Sequence, residues 1–241
     1  MFYKYETHLH TSESSACASS TAAEMVQAYI RAGYSGFVVT DHFVNANSTV
    51  SRDLTWHEQI KNFIRGYENA YREAEKYNFQ VFFGWEYTVF PYCEDHLTYN
   101  LDINFLYKHP ELTQISFSDY CKLVHESGGI LIHAHPYREA SYIHYPPNPK
   151  LDLIDGIEVN NGSSDSPYNH NDKAWELARS NPKLIRTSGT DIHNVQKVGL
   201  GGVAFKYKIT SMKEFVKALQ NHEAYLIIDG RITDRDGNIV E

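Results

Sequence analysis

The chain has 241 residues, and 22 Lys+Arg against 30 Asp+Glu give a formal net charge of −8. That balance excludes a basic surface for coating long nucleic acid, and 42% hydrophobic with 22% charged residues excludes a disordered chain. The three cysteines (Cys17, Cys93 and Cys121) form no CxxC and suit neither a disulfide framework nor a zinc ribbon. They read as scattered free thiols in a reducing compartment. No signal-peptide pattern and no membrane-length apolar run is visible, so a soluble cytoplasmic protein without membrane association is expected. Histidine is the outlier, with 13 residues.

In chain order, Thr21-x-x-Glu24 is a capping box opening a helix with Ala22, Met25, Val26, Tyr29 and Ile30 at helical spacing. Gly36–Thr40 reads as a buried strand. Thr55-x-x-Glu58 opens a second helix, with Ile60, Phe63, Ile64, Tyr67, Ala70, Tyr71 and Ala74 on one face. Val81–Trp85 is a strand, Ser118–Glu126 a helix stopped by Gly128-Gly129, and Ile130–Ile132 a strand. Gly156–Val159, Leu184–Thr187 and Val203–Phe205 read as strands, with a helix over Asn171–Arg179. Ser211-x-x-Glu214 caps a last helix through Leu219, and Tyr225–Ile228 closes the pattern. Strands alternating with helices at this length predict one α/β domain over residues 1–241, with a closed or nearly closed TIM-like barrel favoured over a small open sheet.

The polar residues cluster at predicted strand ends. His8 and His10 end the first strand, Asp41 and His42 the second, and Glu86 the third. His133 and His135, Glu158 and Asn160, and Asp191 and His193 end later ones. In a parallel barrel these ends open onto one face, where active sites form. In extended chain, residues two apart point the same way, so each His-x-His pair can aim two imidazoles at one ion. Imidazole with carboxylate suits Zn, Mn or Fe, and a carboxylate such as Glu86 can bridge two ions. Arg138, three residues after His135, is the cation expected to fork onto a phosphate.

These segments resemble the PHP (polymerase and histidinol phosphatase) family: His8-Leu9-His10-Thr11, Thr40-Asp41-His42, Gly84 before Glu86, Asp95-His96-Leu97, Ala134-His135-Pro136 and Gly189-Thr190-Asp191-Ile192-His193. The resemblance implies a distorted (β/α)7 barrel and a phosphoesterase with two or three divalent ions. It implies His8, His10, Glu86 and Asp191 at one ion, Glu86, His96 and His135 at a second, and His42 and His193 at a third. Three-metal members usually carry another His or Asp after the first motif, and here Glu13 is the only charged candidate. Asp41 is implied in an outer layer or as proton donor to the leaving group, and His133 as an outer-layer residue. The expected reaction is attack of a metal-bridging hydroxide on a small phosphorylated metabolite or nucleotide. A 3′-end or oligonucleotide phosphodiesterase and a protein tyrosine phosphatase stand as alternatives within the family. A metal-dependent amidohydrolase and a non-catalytic module stand outside it. Oligomeric partners are not readable.

Overall fold

The computed structural model describes residues 1–163 and 168–241. Its strands are β1 (Tyr3–Glu6), β2 (Gly36–Val39), β3 (Gln80–Val89), β4 (Glu94–Tyr99), β5 (Ile130–His133), β6 (Gly156–Asn161), β7 (Ile185–Gly189), β8 (Gly201–Phe205), β9 (Tyr225–Ile228) and β10 (Arg231–Thr233). The helices are α1 (Ala22–Arg31), α2 (Trp56–Phe63), α3 (Arg65–Ala74), α4 (Ile103–Lys108), α5 (Phe117–Glu126), α6 (Asn171–Ser180) and α7 (Met212–Gln220). Both N-terminal capping boxes form: Thr21 and Thr55 each accept from the N3 backbone while Glu24 and Glu58 reach back. No helix among the described residues is long and apolar enough to cross a membrane.

The strands form one curled sheet of ten, in the order β10-β9-β8-β1-β2-β3-β4-β5-β6-β7. The α/β architecture thus matches the sequence pattern, while the sheet is mixed rather than a plain (β/α)7 alternation. β1, β2 and β3 pair in parallel, as do β5, β6 and β7, and antiparallel pairings fill the rest. The difference arises chiefly at β3, which does not stop at Glu86. It runs on to Val89 and turns back as β4 in a hairpin pairing Glu86 with Leu97 and Tyr87 with His96. The segment after Glu86, expected as loop, is therefore largely strand.

The curl is drawn shut beyond the strand ends. Leu9 bridges Ile192 in parallel, with His10 N donating to Ile192 O at 2.9 Å and Ile192 N to His8 O at 3.2 Å. Just below this seam lies the buried Glu6 carboxylate. It accepts from Thr190 N at 2.8 Å, Thr190 Oγ1 at 2.5 Å and the Tyr29 hydroxyl at 2.7 Å. β1 and β7, far apart in the sheet order, thereby meet at the end where their histidines emerge.

The second predicted helix is broken into α2 and α3 at Ile64. The Ser14 hydroxyl donates to Phe63 O at 2.6 Å and accepts from Gly66 N at 3.4 Å. A side chain inserted into the helical ladder is a recognised cause of such a break. Gly66 is required there: a Cβ would come within 2.1 Å of Thr11 Oγ1 and 2.5 Å of Asp41 Oδ2.

Candidate metal centre

Seven side chains converge inside the seam. His8 Nε2 lies 3.1 Å from His10 Nε2 and 3.1 Å from Glu86 Oε1. Asp191 Oδ1 lies 3.2 Å from His10 Nε2 and 3.5 Å from His8 Nε2. Glu86 Oε1 is 3.3 Å from His135 Nε2, and its Oε2 is 2.7 Å from His42 Nδ1. The His193 ring stacks on His10 with centroids 4.3 Å apart. Three overlapping donor groups result: His8, His10 and Asp191; His8, Glu86 and His135; His10, His42 and His193, each with its atoms within 4.8 Å of one another.

The local backbone explains the convergence. β1 and β7 end just short of the His8-x-His10 and Asp191-x-His193 pairs, so both pairs extend along the seam. The two-residue strand period puts Phe82, Gly84, Glu86 and Thr88 on one face of β3. Two site residues occupy the left-handed region, His135 at φ 31° and Asp191 at φ 54°. Non-glycine residues take that conformation at a cost, and it clusters at functional sites.

The donor chemistry fits divalent ions. Two donors about 2.1 Å from one ion, at right or tetrahedral angles, lie about 3.0–3.4 Å apart, which is the spacing seen. His42 Nδ1 and Glu86 Oε2 are both buried without a hydrogen bond despite their 2.7 Å approach. Such orphaned atoms are costly unless something else satisfies them, and an ion would. The far nitrogens are tied down: His8 Nδ1 faces Glu158 Oε1 at 3.2 Å, His10 Nδ1 faces Ser15 Oγ at 3.1 Å, and His193 Nδ1 faces the Asp191 carbonyl at 2.9 Å. That arrangement fixes each ring and aims its other nitrogen inward. Glu158 also accepts from His135 N at 3.0 Å and Asn161 Nδ2 at 2.8 Å.

Burial raises the Asp191 carboxyl, but His8 and Arg138 outweigh it and hold Asp191 well below the usual range. Glu86 is raised by burial and brought well below its ordinary value by His42 and His8. For His8, burial lowers the imidazole, while Asp191, Glu86 and Glu158 lift it well above. His10 goes the other way, lowered by burial and by His193 and His42.

Several expectations change. His96 does not face the cluster. Its strand partner is Tyr87, so it shares the face opposite Glu86, stacked on His133 and Phe117 at centroid distances of 4.4 Å. His133 lies on that outer face too and orients no site residue by a hydrogen bond. Asp95, one position earlier, faces inward instead. Its Oδ2 is 3.9 Å from His135 Nε2 and its Oδ1 accepts from Thr88 Oγ1 at 2.6 Å. Burial and the Glu86 charge push Asp95 up to about 6. The motif was visible in the sequence, but only the strand register selects between adjacent residues.

Glu13 is also displaced. Its carboxylate accepts from Ala22 N at 3.2 and 3.0 Å and from Asn69 Nδ2 at 3.1 Å, at the start of α1. A carboxylate is favoured at a helix N-terminus. Asp41 occupies the outer-layer position expected of it: Oδ1 accepts from Thr11 N at 2.6 Å and Ser15 Oγ at 2.7 Å, and Oδ2 from Thr11 Oγ1 at 2.8 Å. Burial raises it to about 6 against those bonds. Arg138 is committed to protein partners. Its Nη2 donates to Asp191 Oδ2 at 2.6 Å and to Asn161 Oδ1 at 3.2 Å, and its Nε donates to Asn169 Oδ1 at 2.8 Å. These bonds brace the Asp191 carboxylate and occupy Nε and Nη2, so the expected fork is not presented free. For Cys17, which the sequence offers only as a scattered thiol, burial pushes the thiol up, and His193 and His42 bring it down to about 6.

Residues 6–228 match the family described as PHP domain. The chain belongs to the PHP domain family. Among solved structures, this PHP chain is similar to a two-domain Bacteroides vulgatus protein containing a predicted PHP-like metal-dependent phosphoesterase. That pair shares 17% identity and a TM-score of 0.71, covering 96% of this chain and 66% of the other. A Bifidobacterium adolescentis protein assigned as a metal-dependent phosphoesterase gives 14% identity and a TM-score of 0.57, covering 89% and 95%. The lesion-specific endonuclease of Pyrococcus furiosus gives 12% and 0.59, covering 92% of this chain and 56% of its own. At these identities the likeness concerns the fold, and this PHP domain spans only part of the first and third proteins. No curated protein matches the sequence.

Proposed function

We propose that this PHP domain is a metal-dependent phosphoesterase acting on a small phosphorylated metabolite or nucleotide, with Zn, Mn or Fe as the ions. The supporting observation is Glu86, whose Oε1 lies 3.1 Å from His8 Nε2 and 3.3 Å from His135 Nε2 while its Oε2 lies 2.7 Å from His42 Nδ1 and 3.5 Å from His10 Nε2. A carboxylate with two oxygens placed between donor groups can hold neighbouring ions close, as phosphoester hydrolysis by paired ions requires. Divalent ions bound there would activate a water for attack and neutralise charge on the phosphoryl oxygens.

The chain's own residues supply placement. Glu86 faces different imidazoles with its two oxygens, so one carboxylate spans two donor groups. Glu158, Ser15 and the Asp191 carbonyl fix the rings, and Arg138 fixes Asp191. Arg138 also borders an open cleft of about 890 Å³ that is lined further by Glu139, Tyr145, Pro147 and Tyr168, and by none of the seven donor residues themselves. A cleft of that size accommodates a phosphorylated metabolite or nucleotide. The net charge of −8 disfavours long nucleic acid, which requires a basic track.

The test is a panel of phosphomonoesters and phosphodiesters offered to metal-stripped protein reloaded with Mn, Zn or Fe. The expected result is phosphate release from a small monoester, abolished in Glu86→Ala. Cleavage confined to diesters would move the reading to the phosphodiesterase alternative. Absence of hydrolysis across the panel, with at least two equivalents of metal bound, would refute the phosphoesterase reading.

A further inference from the structure

Aromatic rings crowd the rim of the metal centre. Of the eight exposed Tyr and Phe side chains among the described residues, Tyr92, Tyr142, Tyr145 and Tyr168 stand on the segments around the cleft beside Arg138. Exposed apolar surface gathered at a cleft marks a binding surface. The wall is also held in place. Tyr145 packs edge-to-face with Tyr92 of the β3–β4 hairpin, the ring centroids 5.0 Å apart and the planes at 66°. Pro146 and Pro147 follow with their φ fixed by the ring, and Asn148 N then donates to Glu94 Oε1 at 3.1 Å. Across the cleft, Glu139 N donates to Tyr168 O at 2.8 Å. Arg138, Ile143, Tyr145 and Pro147 line both this cleft and a smaller cavity that reaches Asp95 and His135. Tyr145 therefore stands on the path from the His135 side of the metal centre to solvent.

We propose that Tyr145, backed by Tyr92, selects the substrate, and that the substrate is a phosphate ester whose leaving group carries a flat unsaturated ring. The proposal rests on the phosphoesterase reading above and narrows its substrate. An ester with its phosphoryl group at the metal centre sends its leaving group out past Arg138 into the cleft. There it meets a tyrosine ring, two prolines and Ile143. An open-chain polyol would lose water from its hydroxyls against these apolar surfaces and gain few hydrogen bonds in return. A flat ring instead stacks on tyrosine in the offset or edge-to-face geometry that aromatic pairs prefer, and a wall already held in place loses little entropy in receiving it. Hydrolysis breaks the bond from phosphorus to the ester oxygen. Water gives its oxygen to phosphate and a proton to the departing alcohol or phenol. Two sources share this chemistry: a nucleoside monophosphate, with the ring one sugar away from the ester oxygen, and an aryl phosphate, with the ring on that oxygen.

The full chain, reloaded with Mn, is offered AMP, phenyl phosphate and ribose 5-phosphate, and phosphate release is followed. Adenosine and ribose are titrated calorimetrically in parallel, so that binding is read without turnover. The expected result is a KM for at least one ring ester about 5–100-fold below that for ribose 5-phosphate, the usual effect of one ring stacked on one aromatic side chain. A preference for AMP assigns a nucleoside leaving group, and a preference for phenyl phosphate an aryl one. In Tyr145→Ala the KM ratio should fall to near one. In Tyr145→Phe it should persist, because the ring rather than the hydroxyl carries the stacking. Tyr145 is exposed, so the circular dichroism and metal content of both variants should match those of the unaltered chain, which separates a lost stacking surface from a lost fold. Equal KM for all three esters in the unaltered chain overturns the proposal, as does a preference that survives Tyr145→Ala. If no ester is hydrolysed but adenosine binds more tightly than ribose in a Tyr145-dependent way, the ring subsite stands and the phosphoesterase reading falls. No hydrolysis and no such difference in binding overturn both.

Discussion

Arg138 shows how a residue in the expected place can do a different job. The sequence puts a guanidinium three residues after a candidate ligand, which suits phosphate. The fold spends that fork on Asp191 and two asparagines. Arg138→Ala is therefore expected to weaken metal binding roughly 10–100-fold, the usual effect of removing a partner that orients a ligand. Isothermal titration of stripped protein checks it; unchanged metal affinity with a raised KM would return Arg138 to the phosphate. Asp95 and His96 make a second pair. Asp95→Ala should lower occupancy beside His135, while His96→Ala should leave the metal content intact and cost about 2–4 kcal/mol of stability as a buried cavity. Metal analysis and urea unfolding separate the two. Neither residue could be chosen from sequence, because a one-residue change in register exchanges the faces of a strand. His8, His10, Asp191 and His193 were legible because their spacing carries its own geometry, and each pair extends from a strand end.

At the scale of elements, the capping boxes and apolar periodicity were enough to place α1, the start of α2, and α7. The β3–β4 hairpin was hidden because Glu94–Tyr99 mixes acid, imidazole and hydroxyl with few apolar residues. It becomes a strand by pairing, Leu97 with Ile132 and Tyr99 with Ile130 among others. The break between α2 and α3 was hidden for the opposite reason, since the apolar stripe continues across it. There a tertiary hydroxyl from Ser14 overrides local propensity. The break lets α3 start against Thr11 and Asp41, the residues that hold the loop after His10. Gly66→Ala should therefore destabilise the protein by about 1–3 kcal/mol through overpacking. It should also loosen the ion that depends on His10 and His42, while the ion held by Glu86 and His135 persists. Urea unfolding combined with metal content tests this; full occupancy at reduced stability would uncouple the helix from the site.

At the scale of the molecule, metal binding should be strongly pH-dependent. In the metal-free chain His8 is held well above its ordinary value, so a proton competes for its lone pair. Binding must release that proton, and affinity should fall as pH drops through the raised value. Asp191 and Glu86 are depressed in the same state. Their contribution to stability is present above the unfolded carboxylate value of about 4 and is lost as pH falls through their folded values. Zinc titration in buffers of different ionisation enthalpy, on either side of neutrality, measures the first effect. Acid unfolding of stripped protein measures the second. Affinity independent of pH would mean that His8 is not a ligand. The seam adds a consequence for biogenesis. Glu6 and Thr190, which close it, stand 184 positions apart in the chain, and the donors at 8 and 10 are as remote from those at 191 and 193. A growing chain cannot bring the two pairs together around an ion until β7, the seventh of the ten described strands, has been made and the curl has shut. Ion capture thus waits on β7, and a bound ion would clasp β1 to β7, the edge strand of the curl, so that neither could peel away first.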